Sequence, residues 1–439
     1  MKKRNLVKKI LMSGALILTL ASCQDKCAKT TCPEGYICDQ GKCILDPDKK
    51  KDDVQVVSGR IQTATTWTAD RIWELDGKVV VEQGATLTIE PGTIIKGRTG
   101  TGALASALVI ARGAKIEAVG TVEHPIIFTS VLDNIKLGEK TGTNLDEKDR
   151  QKWGGVILLG KAKVSAKIGD TEGQIEGIPA DEDYGRYGGE DDKDNSGTLA
   201  YISIRHGGAL IGEGNEINGL TLGGVGSGTT IHHIEIVANL DDGIECFGGT
   251  VTVEHALVAY QGDDAFDIDQ NFAGTFVNSA AIYDNTGDEF LEIDGPENST
   301  YAEGKFTVEN CTFISKTGDG SVDLKSKAQG VITNCKFEGL TRFQLSAKFE
   351  EDCTTLKHDA YNNYIDSNLK VTGNKTDAQI YIYTKSQDNN GNTCSITDEM
   401  KGAVQSIFDK AGNGKDIQVE GADLSAFEGW TWSSINGKI

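Results

Sequence analysis

A pattern that returns every 22 to 31 residues constrains this 439-residue chain more than any other feature. Ile231-His232-His233-Ile234-Glu235-Ile236 aligns with Val253-Glu254-His255-Ala256-Leu257-Val258 and with Val277-Asn278-Ser279-Ala280-Ala281-Ile282. The series continues in Val308-Glu309-Asn310-Cys311-Thr312-Phe313 and Ile332-Thr333-Asn334-Cys335-Lys336-Phe337, with steps of 22, 24, 31 and 24 residues. Between these runs a second register: Leu220-Thr221-Leu222, Ile244-Glu245-Cys246, Phe266-Asp267-Ile268, Leu291-Glu292-Ile293, Val322-Asp323-Leu324 and Phe343-Gln344-Leu345. Each triplet reads in-out-in, which is the period of a strand. A unit this short has room for two or more strands and none for a helix. Each unit is therefore expected to be one coil of a parallel β-helix, pairing with its neighbours about 4.8 Å away.

The segments around Asn310-Cys311 and Asn334-Cys335 resemble the signature of right-handed parallel β-helices, in which Asn takes the turn and the following alternate residues point inward. That resemblance makes Cys311 and Cys335 stacked, reduced interior residues; free Cys commonly behaves as a small buried hydrophobe. "GATLTIEPGTIIKG", "SALVIARGAKIEAVGTVEHPIIFTS", "WGGVILLGKAKVS", "DDGIECFGGTVTVEHALVAY" and "GDDAFDIDQ" extend the pattern. With the glycine-rich run from Ser196 to Thr229, they resemble a large group of bacterial surface β-helix proteins over roughly residues 60–345. The resemblance implies architecture and surface location, not an activity. The expected fold is all-β: a right-handed parallel β-helix over 55–360, a small α+β cap over 361–439 and a short disulfide-rich N-terminal module. An open end of a parallel stack is a pairing hazard. The cap supplies a strand around Ile380, Ile382 and Thr384, and an amphipathic helix over Ser395–Gly412 that puts Met400, Ala403, Val404, Ile407 and Phe408 on one face. It also has bulky "AFEGWTW" for packing, and Cys353 and Cys394 are placed to staple it.

The first 22 residues read as a secretory signal: Lys2, Lys3, Arg4, Lys8 and Lys9, then an apolar run from Ile10 to Leu20 that is too short to span a bilayer. Leu20-Ala21-Ser22-Cys23 resembles the lipobox of bacterial lipoproteins, which implies cleavage before Cys23 and its acylation. Gln24 follows, not the Asp that retains a lipoprotein at the inner membrane, so an outer-membrane anchor is expected. Secretion opens all ten cysteines to oxidation. Cys27, Cys32, Cys38 and Cys43 lie in a stretch too short to bury a core, so two disulfides are expected there, with three pairings open. This module, 23–45, resembles small EGF-like cysteine-rich units. Residues 46–54, rich in Asp and Lys, read as a solvated linker.

A net charge of −21, from 65 acidic and 44 basic residues, argues against a nucleic-acid partner. It suits cations or a polar ligand. The in-out-in register places Glu245, Asp267, Glu292 and Asp323 outward on one sheet, one coil apart. Asp241, Asp263, Asp288 and Asp319 precede the inward position by three residues; Asp242, Asp264 and Glu289 precede it by two. Asp269 and Asp294 extend the face. Like charges about 5 Å apart repel by about 0.8 kcal/mol even in water, so such a ladder should take up cations or hold protons. All-oxygen surroundings suit Ca²⁺. A solvated face with turn-forming aspartates is the other reading. Asp192, Asp194 and Ser196 alternate like the start of a Ca²⁺ loop and form a second metal candidate, without the distal Glu in register.

The segments around Asp241-Asp242 and Asp263-Asp264 also resemble the paired-aspartate motifs of polygalacturonase-type glycoside hydrolases, whose aspartates act as general acid and base. This chain has no Gly-His-Gly, and its basic motif is reduced to Lys325; His206 in "RHGG" reads as a turn residue. A pectate-lyase-like mechanism would need an Arg or Lys base beside bound Ca²⁺, and the columns carry no arginine. The expectation is a membrane-anchored binding module for a glycan, a cation or an envelope partner, without catalytic residues. The alternative is a polysaccharide-degrading hydrolase or lyase.

Overall fold

The coils turn at residues held in left-handed backbone conformation, and this repeated corner gives the fold its shape. A computed structural model describes Cys32 and residues 36–39, 42–45, 54–166, 171–212, 215–284 and 286–439. Tyr201, His233, His255, Asn278, Asn310 and Asn334 occupy one corner column with φ between 51° and 54°. Asn tolerates that region best among residues with a side chain. Its amides also bond along the stack: Asn310 Nδ2 donates to Asn278 Oδ1 at 2.5 Å and Asn334 Nδ2 to Asn310 Oδ1 at 3.3 Å. The Asn turns read from the sequence are these corners.

Among the described residues, 26 strands form one continuous system in which every pairing is parallel. It wraps a three-sided coil. One side runs through Ala107–Ile110, Val156–Leu159, Leu220–Gly223, Ile244–Phe247, Phe266–Asp269, Leu291–Ile293, Gly320–Leu324, Leu340–Ser346 and Gln379–Tyr383. All six in-out-in triplets fall on this side in the register read from the sequence.

The other register needs one correction. Val253 pairs with Phe276, and Phe276 with Val308, so the third copy begins at Phe276 and not at Val277. A one-residue slip would exchange the two faces of a strand. Fully buried Phe276 and half-buried Val277 decide the register, and the shift brings Asn278 into the corner column.

The interior is apolar and aromatic, with Phe313 stacked on Phe337 at 4.8 Å. Cys246, Cys311 and Cys335 are buried and free. Cys32 is bonded to Cys43 and Cys353 to Cys394. Cys38 is disulfide-bonded too, while Cys23 and Cys27 lie outside the described residues. The hairpin Tyr36–Asp39/Lys42–Leu45 docks on the first coils: Cys43 N–H donates to Thr99 Oγ1 at 3.2 Å, and Lys42 pairs with Asp76 at 3.3 Å. Alkylation under native, non-reducing conditions is therefore expected to leave Cys246, Cys311 and Cys335 unlabelled until the protein unfolds. Peptide mapping should then return them as thiols and recover the 32–43 and 353–394 bridges. A Cys311–Cys335 bridge would contradict the packing.

The C-terminal region closes the stack as expected, in part. The helix Asp398–Lys410 is capped by Thr397, whose side chain accepts the Met400 N–H, and it buries Val404 and Phe408 beside the strand Gln379–Tyr383. The final residues do something else. They run back along the flank of the coil instead of covering its end. Phe427 and Trp430 pack on Leu257, Ala280 and Ile282, and Trp432 packs on Val237, Ala238, Ala259 and Tyr260. Buried Glu235 accepts the backbone N–H of both Trp432 and Ser433 at 2.8 Å, and Lys438 pairs with Glu147 at 2.9 Å.

Candidate functional site

The outward column of the first-described side changes character along its length. It reads Val80, Val109, Ile157, Thr221, Glu245, Asp267, Glu292, Asp323, Gln344 and Tyr381. The apolar start is covered by an excursion of the chain, whose Ile175, Ile178, Tyr187 and Ile217 pack on Val80, Val109 and Ile157. Where that cover ends, the carboxylates begin. They are recessed: Asp242, Glu245 and Asp323 are 6% exposed, Asp264 3% and Glu289 7%.

The three acidic columns are not equivalent. In the middle one, Asp242 Oδ1 accepts the Asp264 N–H at 2.9 Å and Asp264 Oδ1 accepts the Glu289 N–H at 2.7 Å, so these side chains tie successive coils together. Asp263 and Asp288 are exposed and Asp241 is half-buried at the rim. Asp319 is held by the Ser315 and Thr317 hydroxyls, at 2.8 and 2.5 Å, which keep its carboxyl below the usual range. In the inner column, Asn218 Nδ2 donates to Glu245, Gln344 Nε2 donates to Asp323 at 2.8 Å, and Lys325 pairs with Glu292. Asp267 Oδ1 and Asp323 Oδ1 have no hydrogen-bond partner.

Three groups bring carboxylate oxygens within 4.8 Å of one another: Asp241/Asp242/Asp263, Asp242/Glu245/Asp267 and Asp264/Asp267/Glu292. Asp269 and Asp294 flank them on the far side of the strands. The Asp192, Asp194 and Ser196 loop forms no such group. Asp192 pairs with Lys163 at 3.1 Å, and Asp194 Oδ2 accepts the Ser196 hydroxyl at 3.3 Å. His206, in left-handed conformation with Nδ1 against Asp149 O at 2.7 Å, is a buried turn residue.

Burial, then repulsion from neighbouring carboxylates, pushes the ladder's acids up. Asp241 is raised to about 7 beside Asp263, Glu289 to about 7 beside Asp288, and Asp269 to about 8 beside Asp294. Asp242, Glu245 and Asp267 are raised well above the usual range for the same reasons. Lys325 is raised in turn: burial opposes its charge, but Glu292 and then Asp323 outweigh it.

The sign for stability follows. A carboxyl with a raised folded-state pKa stabilises the fold below its unfolded value, about 4, and that contribution is lost as pH rises through the folded value. Metal-free protein is thus expected to melt at a higher temperature at pH 5 than at pH 8, across the window set by Asp241, Glu289 and Asp269. Scanning calorimetry in chelator at the two pH values checks this; equal or higher stability at pH 8 would refute it.

Beside the ladder lies a cavity of about 390 Å³, lined by Asp294, Asp323, Lys325, Lys348, Tyr383 and Lys385 among others. Asp294 and Asp323 are each raised to about 6, by burial foremost and against the pull of Lys325. Sequence reading did not find this cavity, because its wall comes from the loop tied by the Cys353–Cys394 bridge.

These features define a class: a three-sided parallel β-helix with a recessed carboxylate ladder on one sheet. The pectate-lyase-like beta helix domain family matches residues 59–433, and the chain belongs to that family. No curated protein and no solved structure matches the chain.

Proposed function

We propose that this is a lipid-anchored envelope protein, tethered through Cys23, that binds an anionic glycan through divalent cations seated on the acidic ladder. The observation that carries the reading is the set of three carboxylate groups with donor oxygens within 4.8 Å. Asp267 Oδ1 lacks a hydrogen-bond partner, and a cation in the Asp264/Asp267/Glu292 group would share Glu292 with Lys325. An all-oxygen donor set of this charge suits Ca²⁺, which tolerates irregular coordination at 2.3–2.6 Å and prefers carboxylates. A cation held there turns mutual repulsion into attraction and presents positive charge to a ligand carboxylate or sulfate. The strongly acidic surface works against nucleic acid.

A second reading, a polysaccharide-degrading enzyme, is favoured by one observation. Asp294 and Asp323, both raised to about 6, share the cavity with Lys325. Groups poised near neutrality are what proton transfer requires.

One experiment separates the readings. Acidic and neutral polysaccharides are incubated with the protein in Ca²⁺ or in chelator; retention is measured by affinity electrophoresis and chain length by size exclusion. Ca²⁺-dependent retention of acidic chains at unchanged length supports the binding module. Shortened chains, lost on Asp323→Asn, establish the enzyme, and retention indifferent to chelator removes the cation from the proposal.

A further inference from the structure

Past its last carboxylate the outward column runs Asp323, Gln344, Tyr381, so the ladder ends at an aromatic ring. Tyr383 lies two residues further along the same strand and projects from the same face. Tyr381 and Tyr383 are 51% and 39% exposed, whereas the other aromatic rings of the coils are buried or half-buried. Tyr383 stands on the wall of the cavity, and four lysines share that wall in a protein of net charge −21: Lys325, Lys348, Lys357 and Lys385. Two of them are spent on carboxylates that do not line the cavity, Lys325 on Glu292 and Lys357 on Glu350 at 3.3 Å. Lys348 Nζ donates to Ser326 Oγ at 2.6 Å, and Lys385 Nζ stands 5.9 Å from the centre of the Tyr383 ring. Among the described residues neither of these two forms an ion pair, and both are exposed. The wall also holds acceptors without donors: buried Asp323 and Asp359 keep Oδ1 and Oδ2, respectively, free of any hydrogen bond.

We propose that this cavity is a subsite that grips one anionic sugar residue, a uronate or a sulfated sugar, directly through Lys348 and Lys385 with its ring laid on Tyr383, and without a metal ion. The two ammonium groups not already paired hold the carboxylate or sulfate by charge-assisted hydrogen bonds, and their flexible stems close on it without moving the backbone. Hydroxyls of the same sugar supply the donors that Asp323 and Asp359 lack, and the apolar face of the sugar covers the exposed tyrosine. A neutral sugar would leave both ammonium groups unanswered, and an inorganic anion would leave the carboxylates and the ring unused. The volume of about 390 Å³ is near the small end of ligand pockets, which suits a short piece of a glycan and not a long chain. The inference rests on the reading of the ladder as a glycan face for the class of ligand, and adds to it a place where the sugar is held by the protein alone.

The full mature chain, stripped of divalent cations on a chelating resin, is titrated by calorimetry with disaccharides of glucuronate, galacturonate and mannuronate. Each is run beside its carboxyl-reduced form, and a 6-sulfated hexose disaccharide beside its unsulfated form. At least one anionic disaccharide is expected to bind one per chain, with its neutral counterpart weaker by on the order of tenfold or more, the cost of losing a hydrogen bond to a charged group. Whether the uronate or the sulfated sugar binds more tightly then names the anion. Lys348→Gln/Lys385→Gln should erase the preference for the anionic form, and Tyr383→Ala should weaken both forms alike. All three side chains are exposed, so the variants should melt as the wild type does. No binding of any anionic disaccharide, equal binding of anionic and neutral forms, or a preference that survives in the double lysine variant would overturn the subsite. Failure of the ladder shows elsewhere, as the loss of Ca²⁺-dependent retention of polysaccharide, which this cation-free titration does not measure.

Discussion

Replacing Asp267 by Asn and Glu292 by Gln is expected to abolish the response of thermal unfolding to Ca²⁺ while leaving the coils intact. The two side chains point out of the sheet at paired positions on adjacent coils, so the substitutions keep shape and register. They remove charge from two of the three carboxylate groups. In the wild type, a ligand that binds only the folded state stabilises by RT ln(1+[L]/Kd), about 2.7 kcal/mol at a hundredfold excess over Kd. The melt should accordingly rise with millimolar Ca²⁺ and fall in chelator. In chelator Asp267→Asn relieves like-charge repulsion, whereas Glu292→Gln removes the partner of Lys325, so the test reads the variant's response to Ca²⁺ against its own melt in chelator. A wild-type melt indifferent to Ca²⁺ would remove the ladder from consideration. A response surviving in the double variant would move the cation to Asp241/Asp242/Asp263 or to the Asp192–Ser196 loop.

Cys23→Ala is expected to have an all-or-none effect on fractionation. An acylated Cys23 would carry more than the two hydrophobic signals that stable anchoring requires. Among the described residues no helix is long and apolar enough to offer a second hold. The wild type should remain with membranes through a carbonate wash and partition into detergent. The variant should appear in the soluble fraction, and one that stays membrane-bound would refute the anchor.

The sheet that bears the ladder was legible because in-out-in alternation is a local property. Once Ile244-Glu245-Cys246 is a strand, the position of Glu245 relative to Asp267 follows from coil pairing alone. The slip at Phe276 shows the limit: Val277-Asn278 imitates the apolar–x–Asn order of the other copies, and only burial tells which neighbour faces in. What alternation cannot report is where a long side chain ends. Lys325 sits just past a strand, yet its four-carbon stem returns the charge to Glu292. Nor does it show which carboxylates are already spoken for: Asp242 and Asp264 proved to be bonded to the next coil, and Asp319 within its own turn. The apolar start of the column was hidden differently, because Val80, Val109 and Ile157 face outward and are covered by a distant excursion. An outward-facing apolar column looks in sequence like a second interior.

The backward run of the last residues changes how such a stack behaves as a cooperative system. Coils that touch only their neighbours form a one-dimensional array, which can open or fray unit by unit. Here residues near 430 clasp coils built from residues near 235 and 257, and Lys438 reaches Glu147. The array is therefore spliced to itself across some two hundred positions of sequence. The middle coils cannot reach their full stability until the segment from Phe427 to Lys438 has been made and laid down on them, so a stretch synthesised some two hundred residues later governs the cohesion of coils assembled before it.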